Sequence, residues 1–190
     1  MPPETEQAYC RIIAACRDLF ERKTRDYGTA WRILRLPSLT DQIFIKAQRI
    51  RSIQEKGTQR VGDAVEGEFI GIVNYCLMAL MQLEMQPLSP EQRESDLTFE
   101  ALAERYDAHV AENFRLLSAK NHDYGEAWRL MRVSSITDII LMKVLRTKQI
   151  EDQQGRTLVS EGVEANYRDM INYAVFALIK LGYAEASVAD

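Results

Sequence analysis

The pattern Lys-x-x-Asp-Tyr-Gly-x-Ala-Trp-Arg-x-x-Arg occurs twice, at Lys23–Arg35 and at Lys120–Arg132, a fixed 97 positions apart. Shifting residues 23–53 by that distance gives 15 identities in 31, where ordinary composition gives roughly two. A chain that repeats itself at this spacing is built from copies of one unit, so the unit decides the fold. After a one-residue insertion the shift becomes 98, and Gly57/Gly155, Val65/Val163, Glu66/Glu164, Asn74/Asn172, Tyr75/Tyr173 and Leu80/Leu178 continue the match. Between the copies, "QPLSPEQRES" has two prolines and little apolar content, as a linker does. The expected division is a first repeat over 1–86, a linker over 87–96 and a second repeat over 97–190, sharing one core.

Each copy reads as helices. Pro2 and Pro3 lead into "ETEQAYCRIIAACRDLFERK", and Ser95 or Asp96 is the expected N-cap before "LTFEALAERYDAHVAENFRLLSAK". Asp-Tyr-Gly then stops the helix, with Gly28 and Gly125 free to take positive φ. A short segment bearing the Trp follows, and Ser38 or Ser135 is the expected start of a second long helix. A third helix is expected over about Asp63 to Gln86 and Glu161 to Tyr183. No segment alternates with the two-residue period of strands. The expectation is an all-α fold, two tandem helical units closed on each other as a dimer-like bundle within one chain. On a wheel, the third helix of the second copy keeps a wet arc that includes Glu161, Glu164, Arg168, Asp169 and Asn172. In the first copy the same helix is apolar nearly all round, and Gly67 and Gly71 suit close backbone approach.

Composition narrows the class further. With 24 Lys+Arg against 28 Asp+Glu, a net charge of -4 over 190 residues gives no basic excess for a duplex nucleic acid. The N-terminus lacks a signal-peptide pattern and no apolar run is read as long enough to span a bilayer, so the expectation is a cytoplasmic protein with no membrane partner. Cys10, Cys16 and Cys76 are odd in number with no C-x-x-C, which suits free thiols.

Several groups can do chemistry. Lys46 and Lys143 sit within apolar stripes of the second helices, where an ammonium needs a partner. The structural reading is a snorkelling lysine or an ion pair to Glu66 and Glu164. The functional reading is phosphate binding, with Arg49 and Arg146 one turn further along. Asp63 and Glu66, like Glu161 and Glu164, are three apart on a helix and can serve Mg²⁺, or merely favour the positive end of the helix dipole. Asp169 lies mid-helix where the first copy has Gly71. It is about 140° from Glu164 on an ideal wheel, so joint chelation needs a bridging water, a second ion or acids such as Glu66 or Glu68 from the other copy. Tyr27, Trp31, Tyr124 and Trp128 adjoin Arg32, Arg35, Arg129 and Arg132. They read either as core or as a base-stacking wall beside phosphate-binding guanidiniums. Asp26 and Asp123 are candidates for a metal, a ribose hydroxyl or a nearby Arg.

Lys-x-x-Asp-Tyr-Gly followed by Trp, then Lys-x-x-Arg, then Glu before Asn-Tyr on a long helix, resembles the nucleotide modification associated domain 1 family, itself similar to the all-α MazG-like nucleotide pyrophosphohydrolases. The resemblance covers residues 5–86 and 97–183. It implies paired helical units, a free nucleotide as partner and Mg²⁺-dependent cleavage of a nucleoside triphosphate to monophosphate and pyrophosphate, with Mn²⁺ as the alternative ion. Carried across, Glu164 and Asp169 correspond to the family's acidic helix and Lys143 and Arg146 to its basic one. Together with the residue-level readings above, the expected catalytic acids are Glu164 and Asp169 and the expected metal ligands Glu66, Glu161, Glu164 and Asp169. Lys46, Arg49, Lys120, Lys143 and Arg146 become phosphate-binding groups, and Asp26, Tyr27, Trp31, Asp123, Tyr124 and Trp128 hold base and sugar. The chain departs from MazG-like enzymes in carrying Lys and Arg where they place a Glu-Glu-x-x-Glu motif, so one asymmetric site is expected rather than two equal ones. A non-catalytic nucleotide-binding protein and a helical scaffold are the alternatives, and further association into a homo-oligomer stays open.

Overall fold

The computed structural model describes residues 1–58, 62, 64–86, 98–159 and 161–186, without the side chains of 122, 124 and 186. The expected linker 87–96 lies outside the described residues, as do Asp63 and the N-cap candidates Ser95 and Asp96. The fold is all-helical, with no strand among the described residues. The first copy contributes α1 (Pro3–Tyr27), α2 (Leu36–Lys56) and α3 (Val65–Met85), and the second α4 (Phe99–Tyr124), α5 (Val133–Asp152) and α6 (Val163–Lys180). A short α7 (Tyr183–Ala186) follows.

α1 forms because Tyr9, Ile12, Ile13, Cys16 and Phe20 fall on one stripe and are buried together. It ends at Gly28, and α4 ends at Gly125, each with φ near +61°, a backbone region costly for residues with a Cβ. Four-residue 3-10 helices, Ala30–Ile33 and Ala127–Leu130, carry the two tryptophans. The second helices begin two residues earlier than expected, at Leu36 and Val133 rather than at the serines. Pro37 in the first turn of α2 is the signal for this, since proline is favoured where helix N–H groups lack partners. α4 is capped by Thr98, whose hydroxyl accepts from the Ala101 N–H at 3.2 Å.

α2, α3, α5 and α6 form the central bundle, with α3 against α6 and α2 against α5 across the duplication. The first helices cross over: α1 packs on α6 as well as α3, and α4 packs on α3. A single hydrophobic cluster draws on both copies, including Ile43, Leu77, Ile140 and Leu178, so the halves share one core. Each such side chain taken from water contributes roughly 1.5–3 kcal/mol. Two buried asparagines tie the first helices in. Asn74 accepts from the Tyr106 hydroxyl at 2.8 Å and donates to the Cys16 carbonyl at 3.0 Å. Asn172 accepts from Asn113 at 2.8 Å.

Three expectations change. Asn172, placed on a wet arc, is buried at 7% exposure, because α4 supplies a partner that a wheel of one helix cannot reveal. Gly67 has no neighbour at its would-be Cβ, whereas Gly71 is approached closely by the Lys46 side chain rather than by backbone. α3 is, by length and composition, apolar enough to cross a bilayer, but 67% of its most apolar window is buried within the bundle. Its hydropathy therefore answers to the core.

Candidate functional site

The repeated motif builds a pocket in each copy. The first, about 410 Å³, is bounded by Phe20, Lys23, Trp31, Leu34, Tyr75 and Met78. The second, about 440 Å³, is bounded by the equivalent Leu117, Lys120, Trp128, Met131, Tyr173 and Phe176, together with Asn121, Asp169 and Asn172. Each lies where the end of a first helix, the Trp segment and a third helix meet. The Trp segments are pinned by equivalent side chains. Gln82 donates to the Arg32 and Leu34 carbonyls at 3.1 Å each, and Lys180 to the Arg129 carbonyl at 2.5 Å.

The charge within the pockets differs. In the second, Lys120 and Lys143 both donate to Asp169, at 2.9 and 2.5 Å. Lys143 and Asp169 are mostly buried, while Lys120 is half exposed. Burial pushes the Asp169 carboxyl up, but the hydrogen bonds from Lys143 and Lys120 outweigh it and hold its pKa below the usual aspartate value. Burial likewise acts to lower Lys120, and Asp169 more than offsets it, so its pKa is raised. Tyr173, on the same wall, has its hydroxyl pKa raised by burial and then by the Asp169 charge.

In the first copy the carboxylate stands one turn earlier. Gly71 replaces Asp169, and Glu68 stands where the second copy has Asn166. Lys46 follows the acid: it donates to Glu68 at 3.1 Å and its stem lies across Gly71. Arg49 also bonds Glu68. The expected partners Glu66 and Glu164 are thus replaced by Glu68 and Asp169. Arg146, the counterpart of Arg49, stays exposed.

The aromatic residues divide as well. Trp128 is 6% exposed and stacked on Phe176, with ring centroids 4.3 Å apart and planes within 3°. The Arg129 guanidinium lies over the same ring at 4.7 Å while bonding Glu126 and Thr5 at 2.6 and 2.7 Å. Trp128 and Arg129 are thus already engaged within the chain, while Trp128 also borders the second pocket. Trp31 is only partly buried, and Met78 stands where Phe176 would cover it. The indole nitrogens of both tryptophans are buried without a hydrogen-bond partner, as is the Asn121 amide nitrogen. Tyr27, 71% exposed, edges the first pocket. Asp26 and Asp123 are exposed and line neither pocket, and the Tyr124 side chain lies outside the described residues.

The four acids expected to share a metal are not brought together. Glu164 bonds Arg168 at 2.8 Å and faces a cavity of about 530 Å³ with His109 and Glu84. Glu66 lines another, of about 600 Å³, with Gln54 and Ser134. Glu161 is exposed. Among the described residues no cluster of three or more Asp, Glu, His or Cys is arranged to hold an ion. The 140° between Glu164 and Asp169 separates those two, which line different cavities. Glu68 was legible only as a remote alternative, and Asn121, inside the motif, carried no signal of its own.

The model of one protein family, nucleotide modification associated domain 1, matches residues 23–83 and 120–181. Neither a curated protein nor a solved structure matches the chain. Both matched regions contain the lysine, the tryptophan turn and the third helix that enclose a pocket, and they span well over half the sequence. The chain belongs to the nucleotide modification associated domain 1 family, as two copies in tandem.

Proposed function

We propose that the protein binds a free nucleotide in the motif pocket of the second copy, as part of nucleotide modification. The observation that supports this most is the convergence of Lys120 and Lys143 on Asp169 at the wall of a pocket of nucleotide-accommodating size. Two ammonium groups already directed to one oxyanion can be re-used by a phosphate, which offers more acceptor oxygens and more charge. Asn121 and Asn172 add polar edges, and Leu117 and Met131 give the apolar wall that a nucleoside needs.

Mg²⁺-dependent hydrolysis is the second reading, favoured by the depressed pKa of Asp169, which keeps a carboxylate ionised inside the pocket. Mg²⁺ is commonly held by one or two carboxylates with substrate phosphates, so Asp169 fits as a single protein ligand for an ion arriving on a triphosphate. Bound there, Mg²⁺ would neutralise phosphate charge. Lys120 and Lys143 would hold the phosphate chain. Glu164, in a different cavity and paired with Arg168, has no part in this version.

The test is a screen of nucleoside mono- and triphosphates with and without Mg²⁺, reading thermal shift and product mass. Binding that weakens about tenfold or more in Lys120→Ala and Lys143→Ala supports the first reading. Pyrophosphate release abolished by Asp169→Asn supports the second. If no nucleotide stabilises the protein, both fall.

A further inference from the structure

We propose that the two motif pockets take different ligands: the first copy's pocket binds a nucleoside monophosphate without metal, while in the second a nucleotide has to displace Asp169 from Lys120 and Lys143 before its phosphate is held. This rests on the reading of the motif pockets as nucleotide sites.

The argument is one of charge and ring surface. The second pocket has a carboxylate, Asp169, in its wall. A phosphate entering there has to take Lys120 and Lys143 from a carboxylate that already holds them. The first pocket has Gly71 at that place, and its nearest equivalent acid, Glu68, is taken up by Lys46 and Arg49. Lys23 edges this pocket and has no carboxylate partner among the described residues. It offers one positive charge, matched to a single phosphate. Lys46, while paired with Glu68, also lies over the Tyr75 ring at 6.0 Å. The ring surface differs in the same direction. Trp128 is already stacked on Phe176, whereas Trp31 faces Met78, whose flexible thioether can yield to a planar base. The first pocket thus combines a partly exposed Trp31, an exposed phenol at Tyr27 and the Lys23 ammonium.

The chain has two tryptophans, one at each pocket, and this supplies the measurement. In Trp128→Phe, Trp31 is the sole indole. Titration with AMP, GMP, CMP and UMP in excess EDTA is expected to quench it saturably with at least one of the four. Adding Lys23→Ala is expected to weaken that binding about tenfold or more. Calorimetry on the chain with both tryptophans, with and without Lys23→Ala, gives the same answer if Trp128→Phe folds poorly. In Glu68→Asn/Gly71→Asp, which moves the acid to its second-copy position, monophosphate binding in EDTA should weaken about tenfold or more. Failure of all four monophosphates, or a Lys23→Ala variant that binds as before, overturns the inference. Calorimetry of Lys23→Ala with nucleoside triphosphates and Mg²⁺ reports the second pocket, whose Trp128 is already stacked on Phe176. A signal there with silence at Trp31 sinks the inference alone, whereas silence at both sinks the nucleotide reading with it.

Discussion

Gly71 and Asp169 hold the same place on the two third helices, and a Cβ built on Gly71 would stand 2.5 Å from the Lys46 Cε. The lysine stem fills on one side the space that a carboxylate fills on the other. Moving the acid from residue 169 to the counterpart of residue 166 leaves each buried lysine paired, so the core keeps its charge balance while the two pockets acquire different linings.

Asp169→Asn should destabilise the protein by about 1–3 kcal/mol at neutral pH, since Lys143 is left largely buried without its counter-charge. The folded pKa of Asp169 lies below its usual value of 3.8. Its contribution is therefore present above that value and is lost as pH falls from about 4 through the depressed folded pKa. Urea denaturation at several pH values should show the deficit of the variant shrinking over that acidic range and nowhere above it.

Glu151 should behave oppositely. Burial raises its pKa, with hydrogen bonds from Thr40 at 2.8 Å and Tyr167 at 3.0 Å only partly compensating. A raised folded pKa means that stability is greatest below the unfolded value and is lost as pH climbs through the folded one. The other copy has Gln54 at this place, donating to Thr137 at 3.0 Å. Glu151→Gln should raise the melting temperature at pH 7 and give little or no gain at pH 4, as read by calorimetry.

The helices, their stops and the duplication were legible because each follows from local pattern: a 3.6-residue stripe, a glycine at positive φ, and identity at a fixed shift. The partners of Lys46 and Lys143 were not. Glu66 and Glu68 are both acids on α3, yet they are about 200° apart on an ideal wheel, and only the seating of α2 on α3 selects Glu68. The stacking of Trp128 on Phe176 was hidden in the same way, because the two residues belong to different elements. The convergence of Lys120 on Asp169 was hidden likewise, because it joins the end of one helix to the middle of another.

Asn74→Ala should cost about 2 kcal/mol, because it strands the Tyr106 hydroxyl, which is fully buried, and removes a donor from the Cys16 carbonyl. In a double-mutant cycle with Tyr106→Phe the two losses should add to less than their sum. Full additivity would show that the bond across the copies contributes nothing.

Of the three thiols, Cys10 is exposed while Cys16 and Cys76 are buried. Burial pushes the Cys16 thiol up to about 12 and raises Cys76 as well. One equivalent should react with a thiol reagent in the native protein at pH 8, and three after denaturation.

Two identical chains meeting about a symmetry axis must inherit every substitution in duplicate, so an acid relocated in one would be relocated in its mate. Covalent fusion lifts that constraint. With Glu68 in one half and Asp169 in the other, this polypeptide maintains a fixed one-to-one pairing of unlike sites, a stoichiometry that separate subunits would have to re-establish at each assembly.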